Sequence, residues 1–268
     1  MTEIIAVSNN KGGILKTTTV VNLAGVLARK GKKVLIVDAD NQDNALLSFD
    51  LNPDEFEVGL VDILIGKADV NDTIVNVHEN IDVIPSTFEM TGFEFEVLTK
   101  LDKFPKPFML MKESFSKLKA DYDYILIDTP PSLGLVVGNV FNYAEKVLIP
   151  FVPEKYSKRS LMKVLSTIKT FALKQNPNLK VIGIFPTLVR EHTKLHRRVL
   201  QEVKDYAKYA DLKYFNTDIP VSIRYASSID ENHVPATLDD TTSAGVHYEL
   251  LWKEIEEHEY TRSSNWWK

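Results

Sequence analysis

Six short apolar runs recur along the chain: Ile4–Val7, Val34–Val37, Ile81–Ile84, Ile125–Ile127, Val147–Pro150 and Val181–Phe185. A strand that is apolar at every position has no face suited to water, so a sheet built from such strands must be covered on both sides. The segments between them carry helical periodicity. In Thr17–Arg29, for example, Val20, Leu23, Ala24 and Leu27 share one side, and Gly31 follows as a stop. Strands that alternate with helices need crossover connections. The expected fold is therefore α/β, a doubly wound, mostly parallel sheet with helices on both faces. At 268 residues this suits one large domain. No repeat or low-complexity tract divides the chain. Residues 86–120 follow neither period clearly. The domain is expected to span 1–257, with 258–268, ending in "TRSSNWWK", as a loose tail.

Between the first strand and the first helix lies "SNNKGGILKTT". A loop in that position offers unpaired N–H groups and the positive end of a helix dipole to an anion. Gly12 and Gly13 let the backbone curl close to phosphate oxygens, where a Cβ would intrude. Lys16 can reach the outer phosphates, and the Thr17 hydroxyl can ligate Mg²⁺. The phosphate-loop pattern G-x-x-x-x-G-K-[ST] nevertheless fails at both glycines, where Asn10 and Leu15 stand. The plainer reading is a Gly-Gly turn before a helix.

Two further segments bear on that choice. "KVLIVDADNQDN" puts Asp38 and Asp40 at the carboxyl end of the second strand, and "YDYILIDTPPS" puts Asp128 at the end of another. Ligands of open α/β sheets bind outside the carboxyl ends of the strands. Each aspartate alone could be a helix cap. Three together beside a phosphate loop suit Mg²⁺ and an attacking water.

The chain contains no cysteine, which excludes disulfides, thiolate metal sites and iron–sulfur clusters. It starts on a strand without a signal-peptide pattern, and no run approaches the ~18 apolar residues of a membrane span. A cytoplasmic protein is expected. Charge is uneven: residues 1–154 carry 14 Lys+Arg against 23 Asp+Glu, residues 155–224 carry 15 against 5, and residues 225–268 carry 3 against 9. Within the basic stretch, "TKLHRRVLQEVKDYAK" read at about 100° per residue puts Lys194, Arg197, Arg198, Lys204 and Lys208 on one stripe. Leu195, Val199, Leu200, Val203 and Tyr206 fall opposite, as a face expected to be buried. Arg190, Arg224, Lys155, Lys158 and Arg159 could extend the stripe. It is either a solvated surface or a phosphate-contacting patch that does not read sequence.

The loop "KGGILKTT" resembles the deviant Walker A pattern K-G-G-x-x-K-[ST]. "VDADNQDN" resembles a switch I segment, "ILIDTPPS" a Walker B segment, and "LIPFVPEKYS", "TDIPVSIR" and "LDDTTSAGVHYELLWKEI" are also similar to the ParA branch of the ParA/MinD ATPases. The resemblance extends to about residue 257 and implies a P-loop NTPase that partitions plasmids or chromosomes. By it, Lys11 is the signature lysine, reaching the partner's phosphates across a homodimer that sandwiches ATP. Lys11, Lys16 and Asp40 would be catalytic, with Asp40 orienting or activating water. Thr17, Asp38 and Asp128 would support Mg²⁺, Thr18 would approach the α-phosphate, and the adenine would lie near Thr187, Pro220 and Val221.

The same resemblance implies ATP-dependent, non-specific DNA binding through Arg190, Lys194, Arg197, Arg198, Lys204, Lys208 and Arg224. His192 stands where relatives often carry arginine. Nothing precedes the first strand, so an operator-reading domain is not expected, and a ParB-like or ribbon-helix-helix centromere-binding protein is the implied partner. Hydrolysis is expected to be slow and stimulated by partner and DNA, with the protein associated with nucleoid DNA. A MinD-like membrane ATPase is the alternative. Glu254, Glu256, Glu257 and Glu259 in the final helix oppose it, and Trp266 and Trp267 are its one membrane-like feature. At Leu15 the family usually has glycine. Either the local backbone accepts a Cβ there, or the loop holds nucleotide weakly, as a scaffold with little turnover.

Overall fold

The computed structural model describes residues 2–118, 121–190 and 193–261. In chain order these form β1 (Glu3–Val7), α1 (Lys16–Arg29), β2 (Val34–Asp38), α2 (Asn44–Leu47), α3 (Leu60–Leu64), β3 (Val75–His78), β4 (Ile81–Ile84), α4 (Phe93–Leu98), α5 (Leu110–Phe115) and β5 (Tyr124–Asp128). There follow α6 (Leu135–Tyr143), β6 (Lys146–Phe151), α7 (Ser157–Lys174), β7 (Lys180–Val189), α8 (Lys194–Tyr209), β8 (Ile219–Pro220), α9 (Arg224–Asn232) and α10 (Val246–Thr261). The strands make one sheet in the order β3-β4-β2-β5-β1-β6-β7-β8. Every pairing is parallel except β3 with β4.

The period of two along each strand divides its side chains between two cores. Leu35 and Val37 of β2, Ile125 and Ile127 of β5, and Val147 and Ile149 of β6 join the core covered by α3 to α8. Ile36, Leu126 and Leu148 point the other way, into the core under α1, α9 and α10. The continuous apolar runs thus have both faces buried, as a doubly wound sheet requires. Val20, Leu23, Ala24 and Leu27 of α1 are buried as its periodicity predicts. Gly31, at φ 73°, closes that helix by donating its N–H to Ala28 O.

The sequence reading lacks two strands. β3 is a half-buried antiparallel edge without an apolar run, and β8 is only two residues long. The undecided stretch 86–120 contains a 3₁₀ turn over Phe88–Gly92, then α4 and α5. α10 continues past 257 to Thr261, and Glu259 pairs with Lys146 in the sheet. Trp266, Trp267 and His192 lie outside the described residues.

Register fixes what matters for the site. Asp38 stands opposite Asp128 in the β2–β5 pairing, and Val7 stands opposite Asp128 in β1–β5. The chain leaves β1 toward β2 on one side and later adds β6 and β7 on the other. The loop after β1 therefore sits where strand order reverses, the usual position of a ligand crevice.

Candidate functional site

Residues 8–15 pass from the carboxyl end of β1 to the first turn of α1. Gly13 takes φ 66° and Leu15 φ 65°, both left-handed. Leu15 is the N-cap residue of α1, and neither a side-chain cap nor an acidic residue in the first turn neutralises the leading amides. The backbone has not adjusted to accept the leucine in an ordinary conformation. It keeps the glycine-like geometry, at a cost of about 1–2 kcal/mol. Several contacts hold it there: Leu15 O accepts both the N–H and the hydroxyl of Thr19, and Thr187 donates its hydroxyl to Ile14 O at 3.1 Å.

The loop opens onto a cleft of about 780 Å³. It is lined by Gly12, Gly13, Leu15, Lys16, Thr17 and Thr18 on one side, by Asp40, Asn41, Gln42, Leu47 and Asp50 on another, and by Pro131, Ala226, Ile229 and Asp230. A Cβ placed on Gly12 or Gly13 would meet no protein atom within 4 Å, so both glycines face open space the size of an added group. Lys16 is only 6% exposed, with Nζ 3.3 Å from Lys11 O. Burial lowers its pKa, while Asp128 and Asp40 act in the opposite sense.

The three aspartates occupy different environments. Asp38 accepts the N–H of Asp40 on one oxygen and that of Ala45 on the other, each at 3.0 Å. Its first task is thus to shape the loop that carries Asp40. Asp128 is fully buried; one oxygen accepts the Thr17 hydroxyl and the other has no partner among the described residues. Burial pushes its carboxyl up to about 7, against the pull of Thr17 and Lys16. Burial and the neighbouring Asp128 also raise Asp38 well above the usual carboxylate range. Asp40 is raised by burial and lowered by Lys16, and its Oδ1 is buried without a partner among the described residues.

Orphaned carboxylate oxygens around a threonine hydroxyl and a buried lysine fit a magnesium–phosphate group. Among the described residues no three His, Cys, Asp or Glu side chains are disposed to hold a metal by themselves. Phosphate oxygens would have to complete the shell.

Lys11 sits apart from this cluster. It is on the exposed side of the loop, with Nζ 2.5 Å from Glu154 Oε2. Pro220 and Val221 do not line the cleft, and Thr187 is buried beneath the loop as its support; the far wall is α9. Sequence reasoning missed that wall, as well as Glu154 and the Ser160 hydroxyl, which donates to Asn10 Oδ1 at 2.5 Å. Asn10 fills the first missing glycine position and ties the loop to α7. No local pattern marks these partners, since each pair is joined only by folding.

On α8, Lys194, Arg197, Arg198, Lys204 and Lys208 are all exposed, while Val199 and Val203 are buried. Leu195 departs from its expected place on the buried face. It lies in the first turn, 41% exposed, and burial on this helix begins one turn later. Lys155, Lys158 and Arg159 are exposed at the start of α7, and Lys158 Nζ lies 5.5 Å from the Tyr206 ring of α8. Arg190 and Arg224 are exposed beyond β7 and β8, where Val221 N donates to Val189 O.

Comparison with known proteins agrees with this geometry. The family model described as "AAA domain" matches residues 2–181. The chain is 37% identical over 257 residues to the sporulation initiation inhibitor protein Soj of Bacillus subtilis, covering 95% of this chain and 98% of that one. It is 32% identical over 263 residues to the chromosome partitioning protein ParA of Myxococcus xanthus, covering 97% and 90%. Among solved structures, cobyrinic acid a,c-diamide synthase from Mycobacterium smegmatis, with bound ATP analog and magnesium, superposes with a TM-score of 0.83 at 28% identity, covering 99% and 98%.

Proposed function

The chain belongs to the ParA family of partition ATPases, and from that premise we propose that its ATP–Mg²⁺ state is a sandwich dimer that binds DNA without reading sequence and comes apart when a partner protein provokes hydrolysis. The observation that carries this reading is the separation of two lysines. Lys16 is buried in its own cleft, whereas Lys11, five residues earlier, is partly exposed and pairs with Glu154. A lysine in that position can serve phosphates that belong to a second protomer.

ATP is the substrate and Mg²⁺ its counterion, which together supply the bond to be cleaved and the charge around which two protomers can close. The chain's own residues would do the rest. The amides of residues 12–18 and Lys16 bind the phosphates. The Thr17 hydroxyl and Asp128 would hold Mg²⁺. Asp38 fixes the loop that aims Asp40, and Asp40 Oδ1 holds the attacking water and can take its proton. Lys11 of each protomer would add positive charge as negative charge spreads over the transferred group.

Exposed cations on α7 and α8, with Arg190 and Arg224, support phosphate-backbone contacts of the non-specific kind. The acidic run Glu254, Glu256, Glu257 and Glu259 on α10 disfavours anionic lipid, and among the described residues no helix is long and apolar enough to cross a membrane. In this reading the protein works on the nucleoid, with slow hydrolysis stimulated by DNA and by a centromere-binding protein. Identity to the partition relatives exceeds that to the synthase, and partition is accordingly preferred to amide synthesis.

The test is binding of the full chain to a random-sequence duplex in ATP–Mg²⁺, ADP–Mg²⁺ and no nucleotide, with sedimentation under the same conditions. A dimer and DNA binding confined to ATP are expected. Equal DNA binding in all three states, or a monomer throughout, would refute the cycle.

A further inference from the structure

Four consecutive residues of the loop after β1 are each bonded to one stretch of chain, residues 148–160, that runs from β6 into α7. Ser8 N donates to Leu148 O at 3.1 Å. The buried Asn9 donates its side-chain amide to Pro150 O at 2.7 Å. Asn10 Oδ1 accepts the Ser160 hydroxyl at 2.5 Å, and Lys11 pairs with Glu154. The receiving stretch is itself fixed: Ser157 Oγ accepts the N–H of Glu154 at 2.9 Å and donates its hydrogen to Val152 O.

These bonds differ in what nucleotide would do to them. The Lys11–Glu154 pair is partly exposed, and Lys16 Nζ lies 3.3 Å from Lys11 O. Both are contacts of a lysine ammonium group, and a lysine that turns to phosphate gives them up. The Asn10–Ser160 bond involves no cation and survives that change. It exists because this chain has asparagine where the phosphate-loop pattern has its first glycine, and a hydroxyl in the first turn of α7.

We propose that Asn10 and Ser160 are positioning residues for Lys11: their bond fixes the lysine's backbone while its side chain exchanges Glu154 for a phosphate of the second protomer. This role rests on the sandwich-dimer reading. A flexible four-carbon side chain swinging from a fixed Cα is ordered at less entropic cost than the side chain and its backbone together. The bond therefore favours the dimer, in contrast to Glu154, which competes with it.

Dimerisation is measured by sedimentation equilibrium of the full chain in ATP–Mg²⁺, and the nucleotide affinity of the monomer by calorimetry with ADP–Mg²⁺. Ser160→Ala and Asn10→Ala should each weaken dimerisation on the order of ten-fold, one bond being lost in each protomer, while ADP affinity stays as in the unaltered chain. The double variant should be no weaker than either single one, because both substitutions remove the same bond. Ser160→Thr, which keeps the hydroxyl, should dimerise like the unaltered chain. So should Ser166→Ala, at an exposed serine of the same helix. Circular dichroism melts check that each variant is folded. Full dimerisation of the single variants would overturn the proposal. So would additive losses, or an ADP affinity that falls in step with dimerisation, because the two residues would then support the loop as a whole. Trypsin cleavage after Lys11 in the nucleotide-free chain needs no dimer and is read alongside. It should be several-fold faster in Ser160→Ala. Equal cleavage would overturn the tether itself, whereas faster cleavage in a chain that stays monomeric with ATP would overturn the dimer reading instead.

Discussion

Lys11 Nζ lies 2.5 Å from Glu154 Oε2 of the same chain, so the lysine assigned to a partner's phosphates is held at home by a carboxylate at the entrance to α7. Forming the proposed dimer would break that pair. Because both groups are partly exposed, the pair contributes only about 0.2–1 kcal/mol. Glu154→Gln should therefore strengthen ATP-dependent dimerisation, by up to about five-fold for each of the two pairs broken, or about thirty-fold per dimer on that scale, whereas Lys11→Ala should abolish it. Sedimentation equilibrium in ATP–Mg²⁺ measures both. Weaker dimerisation of Glu154→Gln would mean that the glutamate serves the dimer and not the monomer.

Leu15 at φ 65° gives the loop a second test. Alanine at this position keeps the left-handed strain and loses the leucine's packing on the core beneath α1. Glycine loses the same packing but relieves the strain. Leu15→Gly should consequently be more stable than Leu15→Ala by about 1 kcal/mol, despite glycine's greater freedom in the unfolded chain. Urea unfolding of the two variants decides the matter, and the reverse order would place Leu15 outside the left-handed region.

A pH dependence follows from the buried carboxylates. The Asp128 carboxyl is raised by burial from 3.8 to about 7, and Asp38 is displaced in the same direction. Between those two values the folded chain holds a proton that the unfolded chain releases. The stability contributed is complete below about pH 4 and is lost as pH rises through about 7, at no more than about 1.4 kcal/mol for each pH unit in between. Relative to unaltered protein, nucleotide-free Asp128→Asn should melt a few degrees higher at pH 8, and the gap should close toward pH 5. The variant should also lose Mg²⁺-dependent nucleotide binding. A gap that does not vary with pH would remove Asp128 as the source.

The basic face of α7 and α8 can be tested one cation at a time. Arg197 is exposed on α8. Arg197→Ala should weaken binding to all duplex sequences alike and reduce the slope of log K against log salt by about 0.9. Sequence-dependent losses would indicate base contacts. An unchanged slope would remove Arg197 from the interface.

The sequence determined the parts of this protein whose causes are local. Apolar runs at strand length and amphipathic helices between them required a doubly wound sheet. Gly12, Gly13, Lys16 and Thr17 at a strand–helix junction marked the proposed phosphate loop, because backbone freedom, a cation and a hydroxyl must be contiguous there. Strand-end aspartates marked the end of the sheet at which the cleft opens. β3 and β8 were illegible for the corresponding reason: an edge strand of mixed polarity and a two-residue strand gain their structure from pairing with neighbours, not from their own pattern.

Only the tertiary structure decided how those parts are joined. Register set Asp38 beside Asp128; burial raised both carboxyls, with Asp128 adding to the rise of Asp38 and Asp40 to that of Asp128. Folding brought Glu154 to Lys11 across 143 positions and Ser160 to Asn10 across 150. It made α9 the far wall of the cleft, left Pro220 and Val221 outside it, and turned Leu195 toward solvent. It also gathered Phe88 and Phe95 onto the wall of one cleft. Sequence spacing carries information about neighbours along the chain, whereas these contacts depend on which strand edges meet and which helices cover them.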